Sequence, residues 1–436
     1  MNFKNIFLVV LVFALTAFTN QPPKKSKLQL KVEDLSEKVI SDVIEWRHHL
    51  HQYPELSNRE YKTAEYIAAH LKKLGLEVQT GIAHTGVVGI LKGGKPGPVV
   101  GLRADIDALP VPERVDLPWA SKAKGEYNGV EVPVMHACGH DVHTAILMGT
   151  AEVLVKVKSE LRGTVKFIFQ PAEEGAPKGE EGGAKLMVEE GVLKNPDVEA
   201  IFGLHISAGT HIGKIGYRPG GTLASVNTFE VTINGKQTHG SQPWAGVDPI
   251  VTAAQIVNNV QTIVSRNLPL INGAAVISFG SIHGGVRSNI IPEEVKMVGT
   301  IRLLDENMRP LLFRRLKEIV ENTAASNGAT ADLEILDGYP VTYNDEALTA
   351  KMVPTLKSVM GDDKVQLIPA ITGAEDFSFY QKEIPGFFFF LGGTPLDTPE
   401  HEAAPHHTPD FYVDDSSMVY GIKAMSRLVV DYMNMK

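Results

Sequence analysis

Early in the chain, apolar residues recur at intervals of three and four. Leu35, Val39, Ile40, Val43 and Ile44 predict one amphipathic helix, and Tyr61, Ala64, Ile67, Leu71 and Leu74 predict a second. Ser57, with Glu60 three positions on, has the form of a capping box opening the second helix, and Gly75 supplies its stop. The period then shortens. Gly86 to Leu91 and Pro98 to Ile106 are apolar runs between Gly/Pro turns, which predict buried strands. The second run empties into Asp105-Ile106-Asp107, two carboxylates at the carboxyl end of a strand, where open α/β sheets place their chemistry. Ala145 to Leu161 predicts a long helix. Gly163 to Gln170 predicts a strand ending in Pro171-Ala172-Glu173-Glu174-Gly175, and Ala200 to Ile206 another with His205 near its end. Between them, Ala176 to Gly183 is rich in Gly, Lys and Glu and predicts a surface loop.

From about Gly220 the pattern changes character. Alternating Phe229, Val231 and Ile233 predict a half-buried strand, followed by a helix over Pro249 to Val264 and strands over Ala274 to Gly280 and Val295 to Leu303. A helix over Arg309 to Asn327 and a strand over Ala331 to Leu336 complete the series. The order is β-α-β-β-α-β, a split ferredoxin-like unit of α+β type. After Asp337 the α/β character returns, with a helix over Ala347 to Met360, the turn Thr372 to Phe377, a strand over Phe387 to Leu391 and a final helix. At 436 residues, more than one core is expected. The expected fold is α/β: a domain with a mixed sheet covered by helices, in two parts at 33–219 and 337–436, interrupted by the inserted unit at 220–336.

Composition narrows the partners. A formal charge of −9 provides no cationic footprint for phosphates, which excludes a nucleic-acid partner. The N-terminus reads as an export signal over residues 1–20: Lys4 precedes an uncharged apolar run, Ile6 to Phe18, that is too short to span a bilayer. A periplasmic or secreted protein is expected, with no stable membrane span once the signal is removed. Cys138 is the one cysteine, so no internal disulfide can form. In an oxidising compartment a lone thiol is a liability unless something such as a metal occupies it.

That cysteine lies in the loop Met135 to His143, two positions before His140. A thiolate and an imidazole so spaced suit one face of a metal site, although the pair alone reads equally as a buried, inert cysteine beside a histidine. Joined by Glu174, His205 and His407, they make a mixed S/N/O ligand set large enough for two ions, leaving Glu173 free for proton transfer. A two-metal centre polarises a carbonyl and makes a water acidic, and a free carboxylate can pass that proton to a departing nitrogen; this is metal-assisted amide hydrolysis. Duller accounts exist: Glu173 and Glu174 as a solvated turn, His205 as a core histidine, His407 as a surface one. Asp105 and Asp107 either orient a metal-binding histidine or sit on a metal. His48, His49, His51 and His70 read as solvated helix positions. His239, in the polar loop Thr238 to Pro243, is either a surface residue or a donor to the oxyanion of a tetrahedral intermediate. Asn289 and Arg302 are candidates for gripping a substrate carboxylate.

These residues sit in motifs that are specific in combination: His51-Gln52-Tyr53-Pro54-Glu55-Leu56-Ser57, Arg103 to Pro110, His136 to His143, Gln170 to Gly175, Gly246 to Pro249, Asn289 to Pro292, Gly373 to Phe377 and His407-Thr408-Pro409. With them the chain resembles the dinuclear metallo-aminoacylase and carboxypeptidase family, from about Val39 to the C-terminus. The closer likeness is to its amidohydrolase branch of hippurate hydrolases, N-acyl-amino-acid amidohydrolases and indoleacetic-acid-conjugate hydrolases. The resemblance implies metal ligation by Cys138, His140, Glu174, His205 and His407, and a general acid/base role for Glu173. It also implies a smaller domain that closes over the site as a lid and mediates a homodimer, with His239 assisting catalysis. Two divalent ions are implied, Zn or Mn ahead of Co or Ni. The implied substrate is an N-acyl amino acid or a small peptide; dipeptidase or carboxypeptidase action is the near rival, and a non-catalytic metal- or ligand-binding protein of the same fold the more distant one. Two departures concern the substrate pocket: Trp244 stands where many relatives have histidine, and the loop at Ala176 to Gly183 is longer than in the shortest relatives.

Overall fold

A computed structural model of the protein describes residues 25–435; the export signal expected over residues 1–20 lies outside the described residues. Helix α1 (Lys27–Gln52) begins with a capping box that the sequence reading does not anticipate: Ser26 Oγ accepts from Gln29 N, and the Gln29 side chain accepts from Ser26 N. In helix α2 (Tyr61–Lys73) the N-cap residue, Glu60, makes no capping bond, and Glu55 Oε2 instead accepts from Thr63 N at 2.8 Å. The capping box expected from Ser57 and Glu60 does not form, because both side chains are spent on the functional site described below. Gly75 does stop this helix, in the left-handed region at φ 77°.

Strands β1 (Glu77–Ile82), β2 (Gly86–Lys92) and β3 (Lys95–Asp105) follow, then the hairpin β4 (Lys124–Tyr127) and β5 (Val130–Pro133). Next come α3 (His140–Lys156), β6 (Arg162–Gln170), α4 (Gly183–Glu189), β7 (Ala200–His211), β8 (Ile215–Tyr217) and β9 (Gly220–Leu223). The long helix thus starts at His140, not at Ala145 as the apolar pattern suggests. Its first turn carries polar residues that are nonetheless buried, because they face the site.

The chain then forms β10 (Ser225–Asn234), β11 (Thr238–His239), α5 (Pro249–Thr262), β12 (Ala275–Gly284), β13 (Ile290–Ile291), β14 (Glu294–Leu303), α6 (Arg309–Ser326) and β15 (Thr330–Leu336). It finishes with β16 (Thr342–Asn344), α7 (Glu346–Met360), β17 (Val365–Leu367), α8 (Ser378–Glu383), β18 (Gly386–Thr394) and α9 (Met418–Met435).

Eight strands form one mixed sheet in the order β1-β2-β6-β3-β7-β18-β8-β17, whose central four, β6, β3, β7 and β18, are parallel. Alternation along a strand sends neighbours to opposite faces. Phe387 and Phe389 therefore join the core beneath α1, α3, α7 and α9, while Phe388 packs on the other face with Met187, Phe377 and Tyr380 from around α4 and α8. A sheet covered on both sides explains why its strands read as continuous apolar runs. A second, four-stranded antiparallel sheet has the order β12-β14-β10-β15. Phe229, Val231 and Ile233 of β10 point into a separate core shared with Ile256 and Val260 of α5 and Leu312 and Leu316 of α6. Among the described residues no helix is long and apolar enough to cross a membrane.

Candidate metal centre

The carboxyl ends of the central parallel strands deliver most of the polar side chains. β3 ends in Asp105, with Asp107 just beyond. β6 runs into a turn in which Ala172 has φ 52°, a left-handed value uncommon for a residue with a β-carbon. Glu60 holds that turn: its Oε1 accepts from Ala172 N at 2.9 Å and its Oε2 from Thr85 Oγ1 at 2.6 Å. The next two residues are Glu173 and Glu174. Gly139, at φ 92°, turns the cysteine loop into α3, and a β-carbon there would fall 2.3 Å from Ile206 Cγ2. The loop therefore approaches β7 as only glycine allows.

The five residues expected as ligands lie together. Cys138 Sγ is 3.4 Å from His205 Nε2 and 3.3 Å from His407 Nε2, and His407 Nε2 is 3.1 Å from Glu174 Oε1. His140 Nε2 is 3.8 Å from Glu173 Oε2 and 4.0 Å from Glu174 Oε1. Two overlapping groups, Cys138 with His140 and His205, and Cys138 with Glu174 and His407, each have their donor atoms within 4.8 Å of one another.

The surroundings fit a cation. His140 Nδ1 is held at 3.1 Å by Asp107 Oδ1, and His205 Nδ1 at 2.6 Å by the carbonyl of Ile206. Each ring is thereby held with its hydrogen on Nδ1, and a cation that took the place of any Nε2 proton would meet the inward-facing Nε2, the arrangement metal-binding histidines use. The buried Nε2 of His140 has no hydrogen-bond partner. Burial pushes the Cys138 thiol well above its usual range, and Glu174 and Glu173 push it further, so a thiolate here requires positive charge beside it.

Electrostatics separate the two glutamates' neighbourhood into roles. Burial, then Glu375, Glu174 and Asp376, hold the Glu173 carboxyl well above the ordinary range. Burial opposes charge on His140, yet Asp105 and Asp107 outweigh it and raise its pKa to about 10. His205 goes the other way, well below the usual value, through burial and then its histidine neighbours His143 and His406.

Several buried partners have no role in the sequence reading. Arg103, fully buried, meets Asp105 at 2.7 Å, Glu375 at 3.0 Å and Asp376 at 2.9 Å. An arginine inside an apolar strand is a signal that it has carboxylate partners across the fold. His143 is near the ligands but occupied: Nδ1 meets Asp105 at 2.6 Å and Nε2 accepts from Ile206 N at 2.7 Å. His51 corrects the expectation of a solvated helix position. It is 1% exposed, with Nδ1 at 2.9 Å from Asp141 and Nε2 at 3.0 Å from Glu113, and Asp141 also binds Arg47 at 2.8 Å. His48 is half-buried, bonded to Asp415 at 2.7 Å and stacked on Trp119, and His70 is likewise half-buried; His49 is exposed.

A cavity of about 570 Å³ opens on this cluster. Arg302 of β14 reaches it from the smaller unit, and Tyr339 closes another wall while donating to the Glu173 carbonyl at 2.8 Å. His239 and Asn289 do not line it. Both are exposed on the smaller unit, where Gly240 N donates to the Asn289 carbonyl at 2.8 Å and His239 Nδ1 accepts from Ser241 N at 3.0 Å. Trp244 is 81% exposed.

A doubly covered α/β sheet with thiol, imidazole and carboxylate donors gathered within reach of one another on its carboxyl-end side defines a metal-dependent amide hydrolase. The chain belongs to Peptidase family M20/M25/M40, whose sequence profile matches residues 101–431. It is 40% identical over 410 residues to thermostable carboxypeptidase 1 of Saccharolobus solfataricus, covering 92% of this chain and 100% of the relative. It is 38% identical over 375 residues to the N-acetyl-L-cysteine deacetylase of Bacillus subtilis, covering 86% and 84% of the two chains. The crystal structure of a dinuclear metal-binding peptidase of the M20 family from Bacillus subtilis superposes with a TM-score of 0.76 at 33% identity, covering 92% of this chain and all of that one.

Proposed function

We propose that this protein hydrolyses the amide bond of N-acyl amino acids, releasing the carboxylic acid and the free amino acid. The observation that carries the reading is Glu173. Its carboxylate stands beside the ligand group, 3.8 Å from His140 Nε2, at the floor of a cavity that Arg302 enters with no ion-pair partner among the described residues. Cys138, His140, Glu174, His205 and His407 would hold two divalent ions, with Zn or Mn ahead of Co or Ni because thiolate and imidazole are joined by carboxylate. When bound, the ions would polarise the amide carbonyl and acidify a water.

The chain's own residues supply the rest. Glu173 takes the proton from the attacking water and hands it to the departing nitrogen. Arg302 binds the substrate carboxylate, and Asp107 fixes the His140 ring. Tyr339 anchors the Glu173 backbone. His239 and Asn289, exposed on the smaller unit, act across a homodimer, where the exposed apolar Trp244, Ile250 and Val251 would be covered. The export signal expected at the N-terminus supports a periplasmic or secreted site for the reaction.

Action on dipeptides or peptide C-termini is the second reading, favoured by the 40% identity to a carboxypeptidase. Metal analysis of the purified protein with a turnover panel decides between them. Release of free amino acid from N-benzoyl-glycine and N-acetyl-amino acids, faster than from dipeptides, is the expected result. Faster dipeptide cleavage selects the second reading, and bound metal without turnover across the panel overturns both.

A further inference from the structure

Strand β3 pairs with β7 only as far as Gly203, while β7 runs on to His211. A backbone amide without a strand partner must find another acceptor. Two amides of the overrun find imidazoles: Ile206 N donates to His143 Nε2 at 2.7 Å, and Ala208 N donates to His406 Nε2 at 3.1 Å. A ring nitrogen that accepts from an amide carries no hydrogen, so each of these rings is neutral with its hydrogen on Nδ1. His143 spends that hydrogen on Asp105. His406 aims it elsewhere: its Nδ1 stands 3.8 Å from Cys138 Sγ, within reach of a hydrogen bond to sulfur.

Three imidazole nitrogens therefore face Sγ, and they are not equivalent. His205 Nε2 at 3.4 Å and His407 Nε2 at 3.3 Å belong to expected ligands, whose lone pairs a bound cation claims. Of the three, His406 Nδ1 alone keeps its hydrogen beside a cation, because Ala208 N occupies the other nitrogen of its ring. The same two contacts keep His406 from ligating, although it precedes His407 directly and lines the cavity. Packing on Phe411, with ring centroids 4.8 Å apart, holds the ring in place. The carbonyl of Cys138 also draws on the Nδ1 hydrogen. A sulfur that binds a cation does so as the thiolate, however, and a charged acceptor is the stronger one.

We infer that His406 is the hydrogen-bond donor to the metal-bound thiolate of Cys138, a positioning residue that sets the donor strength of that sulfur while touching neither cation nor substrate. The inference rests on the ligand set proposed above. An N–H aimed at a ligating sulfur stabilises its lone pairs, which is one way hydrogen bonds tune cysteine-ligated metals.

The test is the near-ultraviolet spectrum of the full chain loaded with Co(II), where sulfur-to-cobalt charge transfer reports the energy of the thiolate lone pair. His406→Phe keeps a ring against Phe411 and removes both polar contacts. Its band should move to longer wavelength, and its metal affinity in a chelator competition should fall about tenfold. His406→Asn sets an amide nitrogen near the position of Nδ1 and should restore the wild-type band. His406→Gln sets an oxygen near the position of Nε2, answering Ala208 N alone, and should resemble His406→Phe. A band unmoved in His406→Phe, or restored by His406→Gln, overturns the inference; where the phenylalanine variant does not fold, the other two decide it. A wild type that binds cobalt without this band removes Cys138 from the ligand set and the inference with it. Turnover is measured apart. A band that behaves as expected in a protein that releases no amino acid keeps the role of His406 and loses the hydrolase reading.

Discussion

Asp107 Oδ1 lies 3.1 Å from His140 Nδ1, and neither residue is more than 1% exposed. The other oxygen of the same carboxylate accepts from Ser57 Oγ at 2.8 Å and from Glu174 N at 3.0 Å. One side chain thus sets the ring of one expected ligand and the backbone of another. Asp107→Ala should therefore weaken metal binding by about 10- to 100-fold, the usual cost of losing such a partner. A competition titration with a metal chelator measures this. Turnover at saturating metal should fall less than affinity, and wild-type affinity in the variant would show that Ser57 and the loop hold the centre unaided.

Glu173 and Cys138 should fail in different ways. Glu173→Gln keeps the shape beside His140 but cannot carry a proton, so metal content should stay at the wild-type level while kcat drops by about 10²- to 10⁴-fold. Cys138→Ala removes the atom common to both ligand groups, so metal content should drop first and activity with it. Metal analysis beside kcat for each variant separates the two. A fully active Glu173→Gln would remove the acid/base assignment.

Arg302→Ala should act on substrate binding. A buried-side arginine released from a carboxylate contact raises KM for N-acyl amino acids by about tenfold or more, with a smaller change in kcat. The matching amide-capped substrate, which lacks the carboxylate, should be nearly indifferent to the substitution. Equal losses on both substrates would assign Arg302 to the packing of the smaller unit instead.

How much of this was legible in the sequence follows from where the information lies. The cysteine loop and the glutamate pair announce themselves because two donors sit within three residues, or at the end of an apolar strand whose period is plain. The cluster of Arg103 with Glu375 and Asp376 does not, since its members are joined only by the pairing of β3 against a turn 273 positions away. His51 was legible but misread. Val39, Val43, Arg47 and Leu50 mark a buried stripe on α1 that continues to His51, so the helical period itself places the charged pair inward. Ser57 and Glu60 show the converse. Their spacing imitates a helix cap, yet tertiary partners, Asp107 for one and Thr85 with Ala172 for the other, compete successfully for both side chains. The exposed positions of His239 and Asn289 have no counterpart in any periodicity, because only the packing of the smaller unit decides what reaches the cavity.

The buried His51 network predicts a pH-dependent stability. Burial disfavours the imidazolium, but Asp141 and then Glu113 outweigh it, so the folded-state pKa of His51 is raised above the ordinary 6.5. A raised pKa means that its contribution is fully present below about pH 6.5 and is lost as pH rises through the folded value. Asp141 works with the opposite sign. Despite burial, Arg47 and His51 depress its pKa, so its contribution is present above the ordinary carboxylate value and is lost as pH falls through the depressed one. His51→Gln removes the first contribution and keeps a neutral hydrogen-bonding group in its place. The variant should be less stable than the wild type by about 1.5–3 kcal/mol near pH 6, the range for hydrogen bonds to charged groups. That gap should narrow as pH is raised toward 9. Thermal melts of both proteins at intervals across that range provide the check. A gap that widened with pH would mean that His51 is held neutral, with Arg47 alone answering the Asp141 charge.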